Sequence, residues 1–511
     1  MADTTASKLM RSGAFRVAHT ALATVVGFFM MPFYVSHLGE HWYGIWLAIG
    51  SLVANYYLLD VGLAGAVTRN IAEGVARDDA LLVNQVANTA LSIYLCIAGF
   101  LLLVTGVLAA CAPLIVSSDD SAVIRQLIAV TGITFAFNFP FNAFSGIIQA
   151  RVRYDLLSFI QLGTLILTTV VTVWAILHGM GVLTLAWVGL GSALITNYMF
   201  LHVARGLYPD LKINLRMFDR TTARALFGYS MWSFAIQMAE QLRSRVDPLI
   251  VAGTFSPAMV TRYSVGARPV GLASEFLYRA TNFVTPVLTR LHVREDKERM
   301  QRALDMLVRI NVVMMLFVAG MLVAVGEPFI ERWMGPGFQW SVLVLYAIVP
   351  ARAIEFILSP LDSALYATAQ HRLLAITVSI EAVLKLAGSF ALIRFVGPMG
   401  VALGTSLATV LVRVFITAPI SCRLLGIRFR EFLARQAGGV LSGSALMVVA
   451  TYVAWTRLTP RTYVDLTAFV TICAMFYIPI MLFTGLSADD RAELAKGLPQ
   501  RWIRRPSERA T

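Results

Sequence analysis

Eight basic residues, Arg243, Arg245, Arg268, Arg279, Arg309, Arg352, Lys385 and Arg413, fall inside long apolar runs, where charge is costly. Arginine keeps its charge and presents a planar fork of donors, which suits a phosphate or pyrophosphate better than a proton relay. Spacing groups these residues with carboxylates. In "GYSMWSFAIQMAEQLRSRVDPLIVAG", Gln237, Glu240, Gln241, Ser244 and Asp247 share one helical stripe, flanked by Arg243 and Arg245. Arg243 stands i,i+4 from Asp247 and i,i+3 from Glu240, a spacing that predicts ion pairs along one helix. Ser264, Arg268, Gly271, Glu275, Arg279 and Asn282 make a second stripe, with its three charges along about 16 Å. Arg352, Glu355, Ser359, Asp362, Ser363 and Tyr366 make a third. Mutual neutralisation would explain any one pair. A solvated cavity lined by Arg and carboxylates explains the three stripes together. Arg309 and Arg413 lie near the cytoplasmic ends of their runs and are expected to snorkel.

The elements that position these residues must be membrane helices. Of 511 residues 58% are hydrophobic and 14% charged, against about a quarter charged in a soluble domain. At about 20 apolar residues per crossing, the chain reads as an all-α polytopic membrane protein of about fourteen spans, with short connections. No extramembrane domain is left to house a soluble active site. With the N-terminus inside, 28 of the 42 basic residues fall at cytoplasmic ends, among them Arg69, Arg77, Arg151, Arg153 and the tail "LPQRWIRRPSERAT". The opposite side has six. Both termini are therefore expected in the cytoplasm. The net charge of +13 is topological, and nucleic acid is not an expected partner. The four cysteines and seven histidines show no metal-ligand or disulfide spacing, so no metal or cofactor is expected. "MADTTASKLMRSGAFR" has no short apolar core with a small-residue cleavage site, so no cleaved signal peptide is expected.

A shift of 217 residues brings like features into register. Asn138, Asn142, Ser145 and Gln149 fall on Glu355, Ser359, Asp362 and Tyr366, both sets stepping along one helix face. The same shift sets "ARDD" (76–79) over "VRED" (293–296), and Asn88 over Asp305. A duplicated six-span unit follows, and six being even, the two copies share orientation. The expected organisation is a cytoplasmic N-terminus (1–12), an N-lobe of helices 1–6 (13–210), a C-lobe of helices 7–12 (211–424), two added helices (425–486) and a basic cytoplasmic tail (487–511).

"LGEHWYGIWLAIGSLVANYYLLDVGLAGAVTRNIAEG" (38–74) resembles the early region of polysaccharide transporters of the multidrug/oligosaccharidyl-lipid/polysaccharide (MOP) superfamily. The resemblance rests on Leu38-Gly39, Tyr43-Gly44 with Trp46, Leu59-Asp60-Val61-Gly62-Leu63, and Arg69. The second half is similar too, in "FGYSMWSF", Asp247 before "PLIVAGTF", and Tyr263. The resemblance implies two parallel six-helix lobes around a central cavity, two added helices, and alternating access. It also implies a cargo, an undecaprenyl-pyrophosphate-linked oligosaccharide repeat unit carried to the periplasmic leaflet of a bacterial inner membrane. It implies membrane lipids, a polysaccharide polymerase and glycosyltransferases as candidate partners, and a monomer.

On this reading Arg243, Arg245, Arg268, Arg279 and Arg352 contact pyrophosphate, and Glu240, Asp247, Glu275, Glu355 and Asp362 balance charge or bind a coupling ion. Proton or sodium is left open. Asn55, Asp60, Asn138, Asn142 and Gln149, in a half almost without intramembrane basic residues, form a sugar-facing side or a gate. Asp60 lies about 13 Å from the cytoplasmic end of its helix and serves as a brace for a neighbouring helix or as a cargo or ion contact. A cation-coupled multidrug exporter would need an acidic, aromatic site. A polymerase or acyltransferase would need a sizeable periplasmic loop or a compact His/acid or Ser/His arrangement. A non-transporting scaffold has no use for the stripes.

Overall fold

The structure is a computed structural model. It describes the backbone of residues 2–60, 62–115, 120–227, 231–281, 283–458, 460 and 462–495. Val61 of the opening motif, Asn282 of the second stripe and the tail from Lys496 onward lie outside the described residues. All regular elements described are helical. The protein is a polytopic all-α membrane protein, organised as two compact units, Met1–Gln241 with Ala252–Thr261, and Leu242–Val251 with Arg262–Thr511.

In the first unit α1 (Ala2–Ala54) carries both of the first two expected spans. They join at Gly39, whose φ of 82° and ψ of 160° interrupt the helix without a Cβ clash. The chain then tightens into a 3₁₀ turn over Asn55–Asp60, and Gly62 at φ 77° releases it into α2 (Leu63–Ala76). Leu58, Leu59, Asp60 and Gly62 thus belong to a helix break, not to the body of a span. The long α3 (Ala80–Ile115), α4 (Ser121–Ala150), α5 (Tyr154–Leu177) and α6 (Leu183–Leu207) follow, around buried Tyr94, Leu127, Phe139 and Ile147.

A short α7 (Arg220–Phe227) leads to α8 (Met231–Arg245) and α9 (Asp247–Thr254). The single expected helix over 225–253 is broken at Val246, because Pro248 has no amide hydrogen and its ring clashes with the preceding turn. The amides of Leu249 and Ile250 both return to the Val246 carbonyl. Next come α10 (Pro257–Ala280) and α11 (Val284–Val293), then α12 (Lys297–Met334), α13 (Gln339–Ala367) and α14 (His371–Val396). The helix α15 (Met399–Val412) runs into a π-helical stretch at Arg413–Thr417. The last described elements are α16 (Ala418–Leu424), α17 (Phe429–Arg457), α18 (Tyr463–Thr484) and α19 (Ala488–Ala495).

Among the described residues, eleven helices are long and apolar enough to cross a membrane. The difference from fourteen has local causes. The first two expected spans share α1, and the seventh and eighth are the broken, charge-bearing α8–α9 and α10–α11.

The 217-residue shift is written into the backbone. Among the described residues, four other than glycine adopt positive φ: Asp78 (52°), Val152 (58°), Glu295 (55°) and Ala369 (58°). They form two pairs, each at that offset. All four close helix ends in the same way. The following amide reaches five residues back, Asp79 to Gly74, Arg153 to Ile148, Asp296 to Leu291 and Gln370 to Leu365. A strained conformation at corresponding places in both halves is hard to acquire twice.

Small residues set a close helix contact in the second unit. Gly400 and Gly404 in "GVALG" bring α15 against α14, so that a Cβ on Gly404 would stand 2.5 Å from the backbone nitrogen of Ser389.

Candidate functional site

The second unit holds a connected network of buried charge. It starts on α8, where Arg243 is 6% exposed. Arg243 crosses to two other helices, donating from Nη2 to Glu355 Oε1 on α13 (2.6 Å) and from Nη1 to Glu381 Oε1 on α14 (3.3 Å). Arg352, one turn before Glu355, donates to its other oxygen at 2.7 Å. Glu381 also accepts from Thr409 Oγ1 on α15 (2.9 Å) and from Arg413 Nε (3.1 Å), and Arg413 Nη1 donates to Asp362 on α13. The π-helical stretch that begins at Arg413 shifts the helical register, and such bulges recur at functional sites.

A second limb surrounds the break at Val246. Lys385, 1% exposed, places Nζ 2.6 Å from Asp247 Oδ1 and donates to the backbone carbonyl of Arg243. Tyr263 on α10 donates to Asp247 Oδ2 at 2.8 Å. These contacts join four cations, Arg243, Arg352, Lys385 and Arg413, to four carboxylates, Asp247, Glu355, Asp362 and Glu381. The charges of these eight groups balance, which suits a low-dielectric place.

Several spacing-based expectations change. Asp247 was expected as the i,i+4 partner of Arg243, yet the break at Val246 turns it away from α8's stripe and Lys385 takes it. Arg413 does not snorkel; it is buried between Asp362 and Glu381. Arg309 pairs with Asp490 at 3.1 Å. The α10 stripe stays apart from the buried network. Arg268 is exposed, and Glu275 and Arg279 pair with each other at 2.5 Å, both about half exposed. Arg245 is exposed, and Glu240 is partly buried.

In the first unit Asp60 Oδ1 accepts from Tyr94 on α3 (2.9 Å), and its Oδ2 accepts from the Ala64 amide at the start of α2 (3.4 Å). The carboxylate bridges α3 to the helix that restarts after the break. Asn138 accepts from Asn197 at 2.7 Å, and Asn55 donates to the Ser51 carbonyl one turn back. Asn142 is partly buried on α4, one turn after Asn138. Gln149 lines a cleft of about 400 Å³ with Thr68, Arg69 and Tyr154. Asn84 and Asn88 hold the connector after α6 by side-chain bonds to the Lys212 and Asn214 amides, both 2.7 Å. Asp305, the counterpart of Asn88, pairs with Arg435 instead (3.3 Å).

The family model described as "Polysaccharide biosynthesis protein" matches residues 81–345, more than half of the chain. The chain belongs to this polysaccharide biosynthesis family. The uncharacterized membrane protein EpsK of Bacillus subtilis (strain 168) is 21% identical over 246 residues, 48% of this chain and 49% of that protein. The match thus spans about half the length of that curated relative. Among solved structures, the inward closed conformation of the lipid II flippase MurJ superposes with a TM-score of 0.71 at 13% identity, covering 92% of this chain and 98% of that one. An inward-facing multidrug resistance MATE transporter of the MOP superfamily gives 0.67 at 12% identity, covering 80% and 95%. The VcmN MATE transporter of Vibrio cholerae gives 0.57 at 13%, covering 84% and 98%. This member of the polysaccharide biosynthesis family therefore has the MOP-superfamily fold.

The sequence reading of this family member missed Glu381, the carboxylate shared by two arginines. "EAVLK" sets Glu381 and Lys385 at i,i+4, the spacing of a self-contained helix pair. Each instead reaches a different partner. Two opposite charges in the middle of an apolar span were the available signal.

Proposed function

We propose that the protein is a flippase that carries an undecaprenyl-pyrophosphate-linked oligosaccharide repeat unit from the cytoplasmic to the periplasmic leaflet of a bacterial inner membrane. The observation that carries this reading is membership of a polysaccharide biosynthesis family by a chain with a transporter fold. Both termini are cytoplasmic on this reading, as the distribution of basic residues favours. Polymerase and glycosyltransferases act beside it, and it works as a monomer.

Within the second unit the arginines divide by exposure. Arg243 and Arg413 are committed to buried carboxylates and hold helices together. Arg245 and Arg268 are exposed, Arg279 is half exposed, and Arg352 keeps 27% of its surface. These four are the pyrophosphate contacts. Guanidinium suits that role through paired, charge-assisted hydrogen bonds to phosphate oxygens. In the first unit the amides of Asn138, Asn142 and Gln149 serve sugar hydroxyls.

The test is complementation in a strain whose surface polysaccharide depends on this gene. Arg268→Ala and Arg279→Ala, singly and together, should lower polymer output at unchanged protein level. Arg→Lys at the same sites should restore only part of it if the planar fork matters. Normal output from the double variant would refute the assignment. The same strains exposed to cationic drugs address the rival reading of a cation-coupled exporter. Its prediction is altered drug susceptibility with polysaccharide unchanged.

A further inference from the structure

Transporters with discontinuous helices commonly bind a monovalent cation at the break, using freed backbone carbonyls and the negative C-terminal end of the half-helix. The seventh span has these features. The helix α8 stops at Arg245 and α9 begins at Asp247, and the Arg243 carbonyl lies in α8's last turn. Asp247 supplies a carboxylate beside that carbonyl, and Tyr263 fixes the far carboxylate oxygen at 2.8 Å. The ammonium of Lys385 lies among these oxygens, 2.6 Å from Asp247 Oδ1 and donating to the Arg243 carbonyl.

We infer that the helix break of the second unit is a monovalent-cation site whose occupant is the Lys385 ammonium, tethered to α14, so that no sodium ion is needed there. An ammonium carries the same unit charge as an alkali cation and bonds to the same carboxylate and carbonyl oxygens. Charge balance supports the assignment. With Lys385 the eight groups joined by these ion pairs balance, and without it Asp247 loses its ammonium partner. A second consequence is mechanical. A mobile ion can leave a site and let the broken helix relax, whereas Lys385 ties α8 and α9 to α14 throughout the cycle. The inference concerns the ion occupancy of one unit and stands whatever cargo the protein carries.

The full-length protein, purified in detergent, is unfolded thermally in sodium chloride and in choline chloride at equal ionic strength. The wild-type midpoint should be the same in both salts. Lys385→Ala should unfold at lower temperature in choline and regain part of the loss as sodium is added, saturably, because Asp247 and the Arg243 carbonyl are then open to the ion. Lys385→Ala combined with Asp247→Asn should show no sodium response. A saturable rise of the wild-type midpoint with sodium would overturn the inference, and that arm needs no variant to fold. A Lys385→Ala protein that treats sodium and choline alike would overturn it too.

Discussion

Glu381→Gln removes one charge from the centre of the network while keeping shape and one acceptor. Glu381 is 1% exposed and faces Arg243 Nη1 at 3.3 Å and Arg413 Nε at 3.1 Å. At an effective dielectric of about 20, each contact is worth about 5 kcal/mol of attraction. Desolvation of the ions offsets much of this gain. The substitution leaves that desolvation in place for both arginines and gives the network an excess positive charge. A loss of about 3–5 kcal/mol of stability is expected. Glu275→Gln is the control, since its pair with Arg279 is about half exposed and should cost under about 1 kcal/mol. Unfolding of the full chain in mixed micelles by titration with SDS measures both. A cycle with Arg413→Gln should give a coupling of about 0.5–3 kcal/mol. If Glu381→Gln costs no more than Glu275→Gln, the network is hydrated, and its role in joining α8, α13, α14 and α15 is wrong.

Other perturbations address other joints. Asp60→Ala leaves the buried Tyr94 hydroxyl without its acceptor and should cost about 1–3 kcal/mol in the same assay, and adding Tyr94→Phe should recover part of the loss. Gly404→Val drives a side chain into the α14 backbone and should lower the thermal midpoint sharply, whereas Gly189→Ala, with nothing within 4 Å of its Cβ, should be neutral or slightly stabilising. Asp219, at the start of α7, accepts hydrogen bonds from Thr221 and Thr222, which hold its carboxyl down at about 2. A depressed carboxylate contributes stability above its unfolded value, lost as pH falls from there toward about 2. Amide protection at Thr222 should fall over that window and be lower at all pH in Asp219→Ala.

Class, approximate span number and the internal duplication were legible because they depend on local quantities. An apolar run of about 20 residues can only cross or be buried, and helical spacing survives duplication even at low identity. The positive-φ pairs at Asp78/Glu295 and Val152/Ala369 bear out the 217-residue shift. The fault lines were misjudged. Gly39, Gly62 and the Asp247-Pro248 step were visible as residues, yet the runs around them stayed apolar enough to read as uninterrupted spans.

What the sequence determined, then, is which charges fall within long apolar runs, because hydropathy and length decide that without reference to any partner; which of them are buried was left to packing, as Arg413, buried, and Arg268, exposed, show. Which charge meets which was decided by tertiary structure. Arg243 reaches Glu355 and Glu381 on two other helices, and Asp247 was turned by one proline toward Lys385. The physical reason is that a charge taken out of water must find an opposite charge within about 3 Å to offset its desolvation, whichever helix supplies it. Ion pairing therefore follows whichever helices packing brings together.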